Sequence, residues 1–156
     1  MKKILAFGAS SSSKSINKEL ANFAAQSIEN AEVNLIDLND FAMPIYSMDR
    51  EQENGIPEEA KLFKKLVQET DGIIISFAEH NNSFSAAYKN VFDWASRVEK
   101  DMWHNKPMFL MATSPGGRGG KGVLAHAEAN YSHRNKNIST FSLPSFGENF
   151  DNGITD

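Results

Sequence analysis

The chain has 156 residues, of which 40% are hydrophobic and 23% are charged, and its formal net charge is −4. This length and balance predict one globular domain over residues 1–156 with a sizeable core, and the acidic balance argues against nucleic-acid binding. The absence of cysteine excludes disulfides, thiol catalysis and cysteine-ligated metal sites.

The start of the chain carries no recognisable targeting segment. Met1, Lys2 and Lys3 precede an apolar run that is too short for the core of a signal peptide. No segment approaches the roughly 20 apolar residues of a membrane-spanning helix. We therefore expect a cytoplasmic protein.

Short apolar runs alternate with helically spaced segments along the chain. The apolar runs predict five strands, at 4–7, 33–38, 72–77, 107–113 and 138–143. Helical spacing predicts four helices, at 15–29, from Pro57 onward, at 85–98 and at 122–134. The alternation predicts an α/β fold with a doubly wound, five-stranded parallel sheet.

Two further stretches carry weaker predictions. Residues 39–56 lack periodicity and are predicted to be a loop. Ile154, Thr155 and Asp156 resemble the cap before a helix. We therefore expect the last helix of the fold, which should cover the fifth strand, to be absent from this chain.

Three polar or glycine-rich loops come directly after predicted strands, at 8–17, 78–83 and 114–120. In a parallel α/β sheet the carboxyl ends of the strands lie at one edge, and ligands bind there. The three loops are therefore expected to form one site.

The first loop contains four consecutive serines and leads into a helix. Hydroxyls and backbone N–H groups at a helix N-terminus bind anions, although the loop is neither a Walker A loop nor Gly-x-Gly-x-x-Gly. We interpret it as a phosphate cradle formed by Ser10, Ser15, Ile16 and Asn17. A simple helix cap by a serine is the alternative.

The other two loops differ in how strongly they indicate a ligand-binding site. Four glycines surround Arg118 in the third loop, which lets backbone approach a ligand and favours an anion-binding nest over a flexible turn. The second loop, which runs through His80 and two asparagines, is equally compatible with a turn and with a site.

Three motifs with characteristic spacing begin in these loops. The first resembles Gly-Ser-x-Arg-x-x-Ser-x-Asn at Ser10, Ser15 and Asn17, with Ser12 in place of arginine. The second resembles Pro-Glu-Tyr-Asn-Gly-Ser followed by Lys-Asn-x-x-Asp-Trp. It matches at Glu79, Asn81, Ser83, Lys89, Asn90, Asp93 and Trp94, and departs at Ala78, His80 and Asn82. The third, Ser-x-Gly-Gly-x-Gly-Gly, matches at 114–120 without departure.

With these motifs the chain from about Lys3 to Phe146 resembles the NAD(P)H-dependent FMN reductases of flavodoxin-like fold, which include quinone, azo-dye and chromate reductases. The resemblance implies strand order 2-1-3-4-5, bound FMN, and NADPH or NADH as donor. It implies that hydride passes to flavin N5 and on to a quinone, a flavin or a similar acceptor in ping-pong turnover. No catalytic side chain and no metal are expected.

The resemblance also assigns residues. The phosphate would be held by Ser10, Ser12, Ser15, Ile16 and Asn17. The flavin ring would lie between the second and third loops, against Glu79, His80, Asn81, Asn82, Ser83, Ser114, Gly116, Gly117 and Gly119. The helix that carries Asp93 and Arg97 takes part in dimer packing in this family, so we expect a homodimer or a homotetramer.

Two alternatives stay open at this point. One is a flavodoxin-type electron carrier, although flavodoxins usually have aromatic side chains against the ring and stronger acidity. The other is a flavin-free, ligand-binding regulator of the same fold, which Ser12 and the altered second loop keep open.

Overall fold

The computed structural model describes residues 1–155, so Asp156, which belongs to the predicted helix cap, lies outside the described range. Its five strands are β1 Lys2–Ala9, β2 Ala31–Leu35, β3 Gly72–Phe77, β4 Met108–Thr113 and β5 Ile138–Leu143. All neighbouring strands pair in parallel, in the order β2-β1-β3-β4-β5. The predicted flavodoxin-like sheet is confirmed.

Six α-helices connect or follow the strands: α1 Ile16–Gln26, α2 Met48–Asn54, α3 Glu58–Glu69, α4 Ala86–Val98, α5 Lys121–Tyr131 and α6 Phe146–Asn149. Serine hydroxyls fix the starts of two of them. Ser15 Oγ accepts from Lys18 N at 3.1 Å, and Ser85 Oγ accepts from Tyr88 N at 3.2 Å. Between residues 1 and 155, no helix combines the length and apolar character that crossing a membrane requires.

The sheet is covered differently on its two faces, because successive strand side chains point to opposite sides. One face packs against α3, α4 and α5 in a large aromatic core that includes Phe7, Phe63 and Tyr88. The other face packs against α1 in a smaller core that includes Ile74 and Met111. Both cores leave the carboxyl ends of the strands free for loops.

The prediction of a loop over 39–56 is wrong in part. A 3-10 helix, Leu38–Phe41, and α2 lie in this stretch. The start of α2 is capped by Ser47 Oγ, which accepts from Arg50 N at 3.1 Å. No residue of α2 is buried, so the helix has no apolar stripe that could produce a periodic sequence signal.

The expectation that a helix after the fifth strand is absent is also wrong, because α6 follows β5 directly. Phe146 and Phe150 stack with ring centroids 4.7 Å apart, and Phe150 meets Phe23 of α1 edge-on at 5.8 Å. Ile154 forms an isolated bridge with Phe150 and packs on the same core, so it does not precede a helix as a cap. Apolar contact with α1 orders this segment despite its short helical part.

Candidate functional site

The loops after β1, β3 and β4 meet at the carboxyl edge of the sheet and enclose a cavity of about 180 Å³. Residues from all three predicted loops line it together. They are Ser10, Ser12, Ser15, Ile16, Asn17, Glu79 and Ser114. The topology therefore brings together half of the predicted binding residues in one concave site.

Asn17 ties α1 to the two central strands beneath this cavity. Its buried Oδ1 accepts from Ser76 Oγ at 2.6 Å and from Thr113 N at 3.0 Å, and its Nδ2 donates to Thr113 O at 3.2 Å. The side-chain oxygen of Asn17 and one of its Nδ2 donors are thus used by the protein. What it can offer a ligand is its backbone N–H in the first turn of α1, which has no acceptor within the helix.

The serine-rich loop is organised by short side-chain bonds to its own backbone. Ser10 Oγ accepts from Ser12 N at 3.1 Å, and Ser12 Oγ accepts from Lys14 N at 3.4 Å. Each hydroxyl keeps its proton free to donate, since both act here as acceptors. These two serines therefore present donors to the cavity.

Close packing brings the N-terminus of α1 against β1. A Cβ on Gly8 would lie 2.5 Å from Lys18 N and 2.8 Å from Lys18 Cα, which are backbone atoms. Glycine is required here by the approach of the helix, and the positive end of the helix dipole is thereby held at the edge of the sheet.

Two lysines near the loop have different electrostatic roles. Lys18 pairs with Asp37 at 3.1 Å. The backbone N–H of Asn39 and the Lys18 ammonium hold the pKa of the Asp37 carboxyl below its usual range. Lys14 lines the cavity, and within residues 1–155 no carboxylate pairs with it. Lys14 therefore offers a free positive charge to an anion beside the N-terminus of α1, while the one lining carboxylate, Glu79, is engaged by the backbone of α5.

The second loop forms a tight turn. His80 and Ser83 exchange backbone hydrogen bonds at 3.0 Å in both directions, and the residues between them, Asn81 and Asn82, have φ of 53° and 61°. Two successive left-handed residues are typical of a type I′ turn, which asparagine tolerates.

Glu79 connects this turn to the third loop. Its Oε1 accepts from Val123 N at 2.8 Å, in the first turn of α5. A Cβ on Gly122 would lie 2.6 Å from the same oxygen, so a larger residue there would displace the carboxylate from this bond. The carboxylate of Glu79 is therefore held by a helix N-terminus, and it fixes the spacing between the two loops.

The third loop has free space around its first two glycines and is tightly packed at Gly119. A Cβ on Gly116 or Gly117 would meet nothing within 4 Å. Gly119 has a φ of 61°, and a Cβ there would lie 2.5 Å from Ser142 Oγ. The first two glycines leave the backbone accessible, whereas Gly119 is demanded by packing against β5.

The remaining predicted residues lie on the loops that border the cavity and do not line it: His80, Asn81, Asn82, Ser83, Gly116, Gly117 and Gly119. Sequence reasoning missed four lining residues, namely Lys14, Ala78, Thr113 and Pro115. Lys14 had a usable signal, because it is the single charge within the serine-rich stretch. The other three are ordinary residues at strand ends.

These residues fit a phosphate ester with a flat ring attached. Hydroxyl donors, the first turn of α1 and Lys14 line the site, and the second and third loops border it through Glu79 and Ser114. The fold and this edge define a flavodoxin-like α/β protein with a concave site at the carboxyl ends of its strands.

The family follows from comparison with known proteins. The model of the NADPH-dependent FMN reductase family matches residues 2–145, and the chain belongs to this family. A 2-hydroxy-1,4-benzoquinone reductase of Burkholderia sp is 34% identical over 107 residues, which is 67% of this chain and 56% of that protein. The chain spans about half the length of the curated relatives it matches.

Solved structures show the same fold. FerB, a flavoenzyme NAD(P)H:(acceptor) oxidoreductase from Paracoccus denitrificans, superposes with a TM-score of 0.77 at 24% identity, covering 100% of this chain and 87% of that one. An FMN-dependent NADH-azoreductase from Bacillus anthracis, solved in complex with FMN, has a TM-score of 0.64 at 13% identity, covering 96% and 90%.

Proposed function

We propose that residues 1–156 form one FMN-binding domain and that the protein is an NAD(P)H-dependent oxidoreductase that reduces a quinone, a flavin or a similar small acceptor. The observation that carries the proposal is the 180 Å³ cavity in which the serine-rich loop, the first turn of α1 and the other two loops meet. Membership of the NADPH-dependent FMN reductase family supports the choice of cofactor.

The phosphate end of FMN is assigned to the first loop. Ser10 and Ser12 donate from their hydroxyls, Ile16 and Asn17 donate from backbone N–H groups, and Lys14 supplies charge. Ser15 acts mainly by capping α1, since its Oγ is already bonded to Lys18 N. Charged acceptors strengthen such hydrogen bonds, which favours a phosphate over a neutral ligand.

The flavin ring is assigned to the space between the second and third loops. The backbone around Gly116 and Gly117 is unobstructed, and Glu79 holds the two loops at a fixed spacing through α5. Bound FMN supplies hydride chemistry between NAD(P)H and the acceptor. The chain contributes placement, backbone N–H donors near the ring and an accessible ring face.

The same loops favour an enzyme over an electron carrier. None of the residues that line the cavity within 1–155 is aromatic, and the loops 78–83 and 114–120 contain no phenylalanine, tyrosine or tryptophan. Phe77 and Phe84, which flank the second loop in sequence, are both buried in the core, at 0% and 7% exposure. A ring without an aromatic cover leaves room for a nicotinamide to stack.

The proposal extends to a cytoplasmic location and to a homo-oligomer assembled through α4. Asp93 already pairs with Lys89 at 2.7 Å, and Arg97 pairs with Glu51 at 2.7 Å within the chain. Both pairs are partly exposed, so they could be shared across an interface. Sedimentation that shows a monomer at micromolar concentration would contradict the oligomer.

The experiment is reconstitution with FMN, removal of excess flavin, and anaerobic addition of NADPH or NADH while the visible spectrum is recorded. We expect retained flavin bands that bleach rapidly with at least one donor. Retained flavin that does not bleach indicates an electron carrier, and no retained flavin overturns both functions.

A pair of variants tests the phosphate assignment. We expect S10A/S12A to weaken FMN binding by about a hundredfold or more, because two hydrogen bonds to a charged group are lost and each is worth about 1.5–3 kcal/mol. The matched control is S11A/S13A, which removes two hydroxyls of the same loop that do not line the cavity. Equal loss in both variants would contradict the assignment.

A further inference from the structure

A second cavity of about 270 Å³ lies at the opposite edge of the sheet, where the strands begin. It is bounded by the end of α4, by the segment 100–105 that leads toward β4, and by the end of α5 with the residues after it. None of its lining residues lines the cavity at the carboxyl edge. The two sites are therefore physically separate.

Side-chain bonds to the backbone hold the walls of this cavity in place. The ammonium of Lys64, which is 1% exposed, donates to Asp101 O and to Met102 O at 2.8 Å each. Asn135, which is buried, donates from Nδ2 to Lys106 O at 2.8 Å. The cavity is thus a preorganised feature of the fold, and filling it requires little further ordering of the chain.

The floor of the cavity is aromatic. The rings of Trp103 and Tyr131 lie 5.4 Å apart between centroids, and Phe92 lies 5.5 Å from Tyr131 and 6.2 Å from Trp103. Trp103 is 5% exposed, and its indole Nε1 is buried without a hydrogen-bond partner among residues 1–155. Three aromatic side chains that meet at one wall form a surface suited to a flat ring.

The rim of the cavity is basic. Lys100, His133 and Arg134 line it, and none of the three pairs with a carboxylate among residues 1–155. Asp101 is the one acidic residue of the lining, and its Oδ1 accepts from His104 N at 3.3 Å. Two permanent positive charges therefore face one carboxylate, although the chain as a whole is acidic, with a net charge of −4.

We infer that this cavity is a second binding site, which takes a small, planar aromatic anion such as an aromatic carboxylate. The ring lies on the floor formed by Phe92, Trp103 and Tyr131, and the anionic group meets Lys100 and Arg134 at the rim. This site is independent of the proposed FMN site, because it shares neither residues nor edge with it.

The test uses the two indole N–H signals of the ¹⁵N-labelled protein in the presence of excess FMN. Trp94 Nε1 donates to Pro44 O at 2.7 Å and serves as the internal reference, assigned with W94F. Benzoate is titrated against benzamide, its neutral counterpart. We expect a saturable shift of the Trp103 signal, with benzoate binding about tenfold more tightly than benzamide because of the two rim charges.

The charge variants decide whether the rim recognises the anion. K100Q/R134Q is expected to weaken benzoate binding about fivefold or more and to leave benzamide unchanged. The matched control, K61Q/K65Q, removes two exposed charges of α3 that do not line the cavity, and should leave both ligands unchanged.

Three results would overturn the inference. One is the absence of a saturable Trp103 shift at millimolar benzoate. Another is equal affinity for benzoate and benzamide. The third is a Trp103 signal that moves with protein concentration alone, which would make the cavity an interface between copies of the chain. None of these results depends on whether FMN is reduced, so the proposed function stands or fails separately.

Discussion

The cavities at the two edges of the sheet differ in the side chains that line them. At the carboxyl edge, small polar residues and backbone N–H groups surround about 180 Å³, and no aromatic side chain lines the space. At the amino edge, aromatic rings form the floor of about 270 Å³, and long basic side chains form the rim. The first suits a phosphate, and the second suits a flat anion.

The edges also differ in how their loops are held. Asn17 fixes the carboxyl edge through one buried amide that bonds to two neighbouring strands. Lys64 and Lys106 fix the amino edge through ammonium groups that bond to loop and helix carbonyls. The amide of Asn17 adds no charge to the carboxyl edge, where Lys14 and Glu79 are the charged lining residues, whereas Lys64 and Lys106 add two charges beneath the amino edge. The comparison shows that the side chain that holds a loop in place also determines how much charge lies near that loop.

The largest expected effect comes from removing the tether of the carboxyl edge. N17A leaves Ser76 Oγ and Thr113 N without their partner in the core. Since an unpaired buried group costs about 1–3 kcal/mol, we expect a loss of about 2–4 kcal/mol in the free energy of unfolding, together with weaker FMN binding. Urea unfolding and flavin titration measure the two effects.

The control for this variant is N22A on the same helix, where Asn22 makes one long bond, from Gln26 Nε2, at 3.4 Å. We expect N22A to change neither stability nor FMN affinity by a measurable amount. Comparable losses in both variants would show that Asn17 is not the tether.

A steric change at Gly8 tests the approach of α1 to the sheet. In G8A the new methyl would meet backbone atoms of Lys18 at 2.5 and 2.8 Å, so the helix start must move. We expect a loss of about 1–3 kcal/mol, as in other overpacked sites, and weaker FMN binding. G147A is the control, since a Cβ on Gly147 would meet nothing within 4 Å. Unaltered FMN affinity in G8A would contradict the proposal that the N-terminus of α1 binds the phosphate.

A substitution at the amino edge should lower stability without changing FMN binding at the carboxyl edge. Lys106 Nζ donates to Val67 O at 2.8 Å and also to Gln68 O and Thr70 O at the end of α3. K106M removes this cap, and we expect a loss of about 1–2 kcal/mol because charged hydrogen bonds at a helix C-terminus are lost. FMN affinity should match the wild type. The exposed K65M is the control, and altered flavin binding in K106M alone would contradict independent edges.

The smallest effect concerns the pH dependence of stability near the serine-rich loop. The Asn39 N–H and the Lys18 ammonium lower the pKa of Asp37 below its ordinary value of 3.8 in the folded state. The stability that Asp37 contributes is therefore present above pH 3.8 and is lost as the pH falls through the folded pKa. D37N should remove about 0.2–1 kcal/mol at neutral pH, because the pair is partly exposed. Urea unfolding at pH 7 and pH 3 measures the difference in free energy of unfolding between the wild type and D37N. An equal difference at both pH values would contradict the contribution assigned to Asp37.

Sequence reasoning reached the carboxyl edge because chain order and loop chemistry coincide there. Each functional loop follows a buried strand directly, so Ser10, Glu79 and Ser114 could be placed together from topology alone. The helix α2 was not predicted because it buries no residue. The helix α6 was not predicted because it is held through Phe150, which follows it and packs on Phe23, a residue distant in sequence.

The amino edge could not be predicted in the same way. Its cavity depends on Lys64 of α3, which is buried and bonds to carbonyls 37 and 38 residues later in the sequence. A lysine in a helix normally indicates a solvated position. Trp103 and Tyr131 also meet only through packing of the loop against α5. Such long-range side-chain bonds leave no local pattern in the sequence.

The most direct measurement is the affinity of the apoprotein for FMN compared with riboflavin, which differs by the phosphate alone. The quenching of flavin fluorescence on titration gives both dissociation constants. If the serine-rich loop at the N-terminus of α1 holds the phosphate, FMN should bind at least about a hundredfold more tightly, as expected for several charge-assisted hydrogen bonds. Equal affinities, or no binding of FMN, would contradict the account.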